Sequence, residues 1–366
     1  GYLNQIGGGA SNGAIAGGLR NQIGAGADSA AIGGGSDNAI AAEHAVIGGG
    51  EHNVISTNAV HSVIGGGEGN FIDAATVRGT IDGGSNNSIG QSNYDPVIGG
   101  GRNNVVSNDT FYVTIAGGVN NMIHGNVMYG AIGGGFYNVL QYNADNAVIA
   151  GGYRNTIQTN VDHGFIGGGV SNVVMVDADK SMILGGELCT VSNGATHALA
   201  AGRRAKAGYA GSFVWADSQN ADFGATAADQ VAFRCQGGVR FSSGSGGLNQ
   251  QVAWTPGDAS WTFTSDREQK EGFEPVDSAA VLEKVAALPL SWWRYKGYAV
   301  RHVGPMAQDF HAAFDLGRDE KGLDGADLDG VALAAIQGLY KENQDLKARV
   351  AELERKVDLL TERLPQ

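Results

Sequence analysis

In the segment TSDREQK, Thr264 to Lys270, a hydroxyl and an amine stand five residues apart. A serine opens an amide only when a base takes its proton, and a lysine can be that base only when neutral. Desolvation lowers a lysine pKa and supplies the neutral form. Along a straight helix, five residues set two side chains about 140° apart. Pairing therefore requires Ser265 in an extended or turn segment, with Lys270 reaching back from a first helical turn. Ring size separates the bonds such a pair could break. Attack of the Ser265 hydroxyl on the preceding carbonyl closes a five-membered ring and shifts the acyl group from nitrogen to oxygen. Attack on its own carbonyl would need a four-membered ring. The predicted scissile bond is Thr264–Ser265, with Ser265–Asp266 second if a group of another chain attacks. An oxyanion donor is also needed, and the sequence does not identify it. Spacing alone is better read as Asp266 capping a helix beside a solvated Lys270. His302 and His311, downstream, read as packing or surface residues.

The seam that holds this pair is a break in composition. Residues 1–260 hold 10 Lys/Arg and 18 Asp/Glu, whereas residues 261–366 hold 14 and 19. Glycine reaches 60 of 366 residues with only six prolines and no Gly-X-Y period, so a collagen-like chain is excluded. A net charge of −13 and a pI near 5.0 argue against nucleic acid or anionic lipid as partner. No apolar run approaches the ~18 residues of a membrane helix, so no membrane insertion is expected. The first residues, Gly1-Tyr2-Leu3, already lie inside a repeat, so the chain reads as a piece of a longer or processed one. Cys189 and Cys235 have neither zinc nor redox spacing and read as buried thiols. No metal or cofactor is expected.

The glycine-rich part is periodic. An isoleucine followed within three residues by a glycine pair recurs from Ile47 to Ile183 in steps of 17, with Asn six positions later and a second aliphatic eight positions later. Ile15 and Ile32 extend the array upstream, and the step from Ile32 to Ile47 shortens to 15. In the last coil Cys189 takes the asparagine slot. Each coil is predicted to be a strand-turn-strand-turn rung of a parallel β-roll over residues 1–199. β-Branched residues would point inward, glycines would supply positive φ, and asparagines tolerant of the left-handed region would stack as a ladder. One aliphatic pair per coil is a thin core against the cost of ordering the backbone, which predicts that three chains pack their columns together. The pattern resembles the β-roll heads of trimeric autotransporter adhesins and phage-fibre shafts, and that resemblance implies a trimeric shaft. No Thr recurs at a fixed offset, which excludes an ice-binding face. Glu51 and Glu68 stack as a surface ladder rather than a glycosidase pair, so no activity on external substrates is expected. Phe136, Tyr153, Tyr112 and Tyr129 stand at repeat offsets where aromatics either cover turns or meet a glycan or protein receptor.

Residues 200–263 read as a β-rich neck, with Arg203, Arg204 and Lys206 as a salt-bridge belt between chains. Residues 264–366 have helical patterning. "DSAAVLEKVAALPL" carries a cap at Asp277-Ser278 and a stop at Pro289. A helix from about Val331 places Leu339, Asn343, Leu346, Val350, Leu353, Val357, Leu360 and Leu364 on an a/d seam, a coiled coil over about 332–364. Homo-oligomerisation follows.

"SDREQKEGFEPVDSAAVLEKVAALPLSWWRYK", "RHVGPMAQDF" and "DGVALAAIQGLYKENQDLKARVAEL" resemble, in order and spacing, the intramolecular chaperone, auto-processing domain of phage tail spikes and fibres, endosialidase spikes among them. Gln269 departs from the usual Leu of the opening block. The resemblance implies a trimerising clamp that folds the shaft and then cuts itself off, with Ser265 as nucleophile and Lys270 as general base. It also implies a homotrimer in a virion tail fibre or at the cell surface. The alternative is a bacterial surface adhesin whose clamp is permanent.

Overall fold

The computed structural model describes residues 1–243 and 250–362, which leaves Leu364 of the seam outside the described residues. The fold is mainly β: a parallel β-solenoid followed by a region containing the long helices. Contacts divide the chain into two units, one of Gly1–Ser243 with Gln250–Phe263 and a second from Thr264 onward.

The first unit is built on two parallel sheets of 14 strands each. One, here the anchor sheet, runs from Ala14–Ile15 to Val231–Arg234, and the other, the companion sheet, from Gln5–Ile6 to Phe223–Gly224. Register follows the sequence period, with Ile47 beside Ile64 and Ile81 beside Ile98 in the anchor sheet. In the companion sheet Ile55 lies beside Ile72. The shortened step keeps register too, Ile32 pairing with Ile47.

The cross-section corrects two sequence expectations. Both isoleucine columns point into the coil of their own chain, where Ile47, Ile55, Ile64 and Ile72 are fully buried. Two columns of small residues close the interior, among them Ala59, Val113, Val127 and Ala147. Polar members of those columns are bonded: Thr76 Oγ1 donates to the Gly90 carbonyl at 2.7 Å, and Gly79 N–H donates to Ser62 Oγ at 3.1 Å. One chain thus covers the columns that were expected to need three. The thin-core argument overlooked these small inward residues.

The ladder asparagines, second, do not occupy the left-handed region. The residue before each one does, as with His52, Asn103 and Arg154 at φ near 55°. The asparagine itself is buried and extended into the ladder. Asn104 Nδ2 donates to the Gly100 and Gly118 carbonyls at 2.9 Å, and Asn104 Oδ1 accepts from Asn121 N–H at 3.0 Å. The last glycine of each rung does need its freedom. Gly67 has φ +94°, and a Cβ there would run into the Gly84 carbonyl and lie 2.7 Å from Asn70 Nδ2.

The parallel stack does not stop where the period lapses. Ala200 pairs with Val214 and Val214 with Ala232, steps of 14 and 18 that still form rungs. A register shift between Ile183 and Gly185 precedes them. Unequal turn lengths hid these rungs from a search for constant spacing. After them, β1 (Val239–Ser243), β2 (Gln250–Trp254) and β3 (Thr262–Phe263) form an antiparallel sheet. The basic cluster is engaged within its own chain: Arg203 faces Glu187 at 3.1 Å and Arg204 faces Asp222 at 2.7 Å. Lys206 donates to the Leu188 carbonyl at 2.8 Å. The expected belt between chains is instead a set of contacts between successive rungs.

In the second unit, α1 spans Ser278–Ala287, with Asp277 accepting from the Ala279 and Ala280 N–H groups. β4 (Ser291–Trp293) pairs antiparallel with β5 (His302–Gly304), and α2 spans Ala307–Phe314. α3 spans Gly325–Thr361 and starts ahead of the expected Val331, because the Asp324 carboxylate caps it by accepting from Ala326 N–H. α1 lies against α3 where Gly338 leaves room for the Ser278 carbonyl, and Lys341 Nζ donates to Ser278 Oγ at 2.9 Å.

Candidate active site at the head of the second unit

Asp266 organises the local chain. Its carboxylate accepts from Glu268 N–H at 3.0 Å and caps a single 3-10 turn over Arg267–Gln269. Lys270 ends that turn in an extended conformation, with its N–H donating to the Arg267 carbonyl. Ser265 lies just before the cap. The reversal brings the two side chains together, and Lys270 Nζ donates to Ser265 Oγ at 2.7 Å. The cap and the side-chain contact occur together, since the capped turn brings Lys270 back to Ser265.

Ser265 and Lys270 are both exposed in the single chain. Both groups face solvent, so in the single chain the pair is a donor–acceptor contact with no shielding from water. Arg267 lies over the Phe273 ring at 5.9 Å and leaves that ring largely open to solvent. The histidines stand apart from the pair: His302 stacks on Trp293 at 4.6 Å, and His311 Nδ1 lies 2.9 Å from the Leu316 carbonyl.

The unit has little interior of its own. Phe310, Ala334 and Ala335 are its buried apolar side chains among the described residues, while Trp292 and Tyr298 are about two-thirds exposed. Every apolar seam residue from Leu339 to Leu360 is at least 50% exposed on α3. A cavity of about 440 Å³ opens between α1 and α3, lined by Val281, Phe314, Val331 and Ala334 among others. Sequence reasoning missed it, because helical periodicity marks apolar faces without saying which remain uncovered.

The four aromatic candidates fall on two separate corners of the solenoid. Tyr112 stacks on Tyr129 at 5.3 Å with an interplanar angle of 4°, and Phe136 stacks on Tyr153 at 5.6 Å. Each stack covers one face of each ring, and Tyr112, Tyr129 and Phe136 remain exposed. Asp37, Glu51 and His52 bring potential ligand atoms within 4.8 Å of one another at a shaft corner, where Arg20 already pairs with Asp37 at 2.6 Å. Among the described residues no helix is long and apolar enough to cross a membrane.

The chain thus combines a parallel β-solenoid with a helical unit of small interior that carries a Ser-Lys contact near its start. A known family matches part of the second unit. Residues 265–316 match the Peptidase_S74 family, described as chaperone of endosialidase. The matched segment opens on Ser265, includes Lys270 and runs past α2. No curated protein matches the chain.

Proposed function

We propose that this chain is the subunit of a homotrimeric fibre or spike whose C-terminal unit assembles three copies, supports folding of the shaft and then releases itself by cutting Thr264–Ser265. The observation that carries this reading is the 2.7 Å contact between Lys270 Nζ and Ser265 Oγ at the start of the chaperone-of-endosialidase match.

In the proposed reaction neutral Lys270 takes the Ser265 hydroxyl proton, and Oγ bonds to the Thr264 carbonyl carbon. The five-membered intermediate collapses as the amide nitrogen is protonated and the C–N bond breaks, leaving an ester through Oγ and a free Ser265 amine. Water then hydrolyses the ester to a Thr264 carboxylate and regenerates the hydroxyl. This is a single-turnover serine endopeptidase of the Ser-Lys type. Its first requirement is a neutral lysine, which shielding from water favours, and in one chain the pair is exposed. The exposed apolar groups of the second unit supply a means: three copies closing on those surfaces would remove water from Lys270 and make cutting follow assembly. Such a fibre would work in a virion tail or at a cell surface, with Tyr112, Tyr129, Phe136 and Tyr153 as candidate receptor contacts.

Denaturing electrophoresis of the folded assembly tests this. The wild type should lose the 37.6 kDa band in favour of two fragments, while Ser265→Ala and Lys270→Ala retain it. A wild type that stays as one band while trimeric removes the protease reading and favours a permanent clamp, to which Gln269 in the opening block also points. A released piece beginning at Asp266 rather than Ser265 contradicts the ring-size argument.

A further inference from the structure

The inward columns of the solenoid are consumed within one chain, so any contact between shafts must use an outward face. The outward residues of the anchor sheet are unusual. They include Val46, Val63, Val97, Val148, Phe165 and Met182, standing just before the buried isoleucines, with small residues such as Gly48, Gly99 and Ala116 just after. Along the ten regular rungs from Ala14–Ile15 to Phe165–Ile166 the positions flanking the buried isoleucine hold one charge, Asp82, and two other polar residues, Thr80 and Thr114, whereas the longer strands that follow bring in Glu187, Arg203 and Arg234. The companion sheet differs. Its positions before the buried aliphatics include Val54, Phe71, Val105 and Val173 beside Gln22 and Ser88, but the positions just after take Asp73, His124 and Gln158 where the anchor sheet has Gly or Ala in nearly every rung. Charge is plentiful elsewhere on the shaft, where Arg20–Asp37 and Arg78–Asp95 pair between rungs at the corners. Its scarcity on the regular rungs of the anchor face is therefore positional and not a matter of composition.

We propose that the outward face of the anchor sheet is where copies of this shaft pack on one another, side by side, parallel and in rung register. The occupant is a further copy of the chain for three reasons. Fourteen strands at ~4.8 Å spacing make a strip of about 65 Å, and one about 10 Å wide presents on the order of 650 Å² per chain, close to the ~800 Å² that each partner of a stable interface contributes. A partner must match that rung spacing over the full length without offering charge, and the same face of another copy does. The chain also carries a self-complementary surface on α3, whose heptad aliphatics are covered by the same helix of another copy. That tether raises the effective concentration of the faces and sets them parallel. The proposal rests on the homo-oligomeric part of the proposed function and not on the cleavage.

The experiment uses the full chain with Cys235→Ser, leaving Cys189, which is fully buried. Val97→Cys on the anchor face and Val105→Cys on the companion face sit in the same rung, and each is treated with a short bis-maleimide. Both changes are close in volume, and circular dichroism checks that the β signal is retained. Native mass spectrometry reports the number of chains in the same samples. The shaft band of Val97→Cys should shift to a covalent pair at least tenfold more completely than that of Val105→Cys, whether or not the clamp has been released. A multimer in which Val97→Cys fails to join, or joins no better than Val105→Cys, overturns the face and leaves the assembly standing. A single-chain mass overturns both. A paired arginine series gives a second readout: Val63→Arg with Val97→Arg should reduce the multimer fraction of released shaft at least tenfold, and an unchanged fraction contradicts the proposal.

Discussion

The two units handle apolar surface in opposite ways. In the shaft, the isoleucines of successive rungs are fully buried inside a single chain, and each new rung covers the one before. In the second unit, Leu290, Trp292 and Tyr298 are 67 to 70% exposed, and the apolar residues of the α3 seam from Leu339 to Leu360 are 50 to 65% exposed. The shaft therefore closes its interior within one chain, whereas the second unit leaves most of its large apolar side chains uncovered. The asparagines repeat the contrast: those of the shaft's ladder are buried and hydrogen-bonded, and Asn343 stands exposed on a seam. A part that needs copies can report assembly, and a part that does not can outlast it. This division is what a removable clamp requires.

The sharpest way to break the comparison is to charge the seam. Leu346→Arg with Leu353→Arg would bury two unpaired charges per chain in any assembled helix bundle, at a cost of several kcal/mol. The concentration at which α3 is half-formed, read by circular dichroism at 222 nm against dilution, should rise at least 100-fold. The β signal of the shaft should melt as in the wild type. A helix signal insensitive to both mutation and dilution would mean that the second unit stands alone, and the contrast would fail.

The complementary change strikes the shaft. Asn104→Ala removes donors to two carbonyls and leaves the buried Asn121 N–H without its acceptor. Unsatisfied buried groups cost about 1–3 kcal/mol each, and partial relaxation brings the expected loss to about 2–4 kcal/mol. Urea unfolding of the β signal measures it, and the loss should not depend on concentration. A loss below about 0.5 kcal/mol would show that the ladder is ornamental to the shaft's stability.

A smaller effect is the response of the shaft's last rungs to pH. Asp217 is held below the usual carboxylate range: partial burial opposes ionisation, but hydrogen bonds from Gln236 N–H, Arg234 and Gln219 N–H together outweigh it. Arg234 Nε reaches Asp217 Oδ1 at 2.8 Å, and another guanidinium nitrogen reaches the Ala221 carbonyl at 2.7 Å, tying the last rungs together. A depressed carboxylate contributes stability that is present above its unfolded pKa of about 4 and is lost as pH falls through the folded value. Hydrogen exchange of strands Phe213–Ala216 and Val231–Arg234 should therefore quicken below about pH 4. Asp217→Asn should make the terminal strands less protected at neutral pH and remove this dependence.

How far the sequence carried differs along the same line. The shaft was legible because each rung solves the same packing problem with the same residues, so Ile47, Asn53 and Ile55 announce themselves by recurrence. Its closing columns were not, because Ala59, Ser62 and Thr76 are small and varied and carry no periodic signal of their own. The rungs after Leu199 escaped because steps of 14 and 18 keep the sheet while breaking the period. At the candidate site, the residue types and the need for a turn were readable. That Asp266 caps this turn and that one chain leaves both partners in water were not, since exposure depends on which surfaces other copies cover.

Cys189 is where legible and illegible meet, and it carries the smallest predicted effect. It breaks the asparagine column in the sequence, yet its backbone keeps the ladder: Cys189 N–H donates to Asn172 Oδ1 at 2.9 Å. Its thiol donates to the Gly202 carbonyl at 3.1 Å, as an asparagine amide would. Burial pushes the thiol pKa up, so it stays protonated and remains a weak donor. Cys189→Asn replaces a weak donor with an amide that can also accept from the next rung. If the rungs beyond Ile183 retain the shaft's geometry, the variant should gain about 0.5–1 kcal/mol in urea unfolding, the ordinary net value of one hydrogen bond. If the register shift between Ile183 and Gly185 has moved the carbonyls out of reach, the larger polar side chain will be buried unpaired and the shaft will lose stability instead. The sign of that change tells whether the ladder ends where the sequence stops spelling it or continues, as the parallel pairing does, into the rungs that follow.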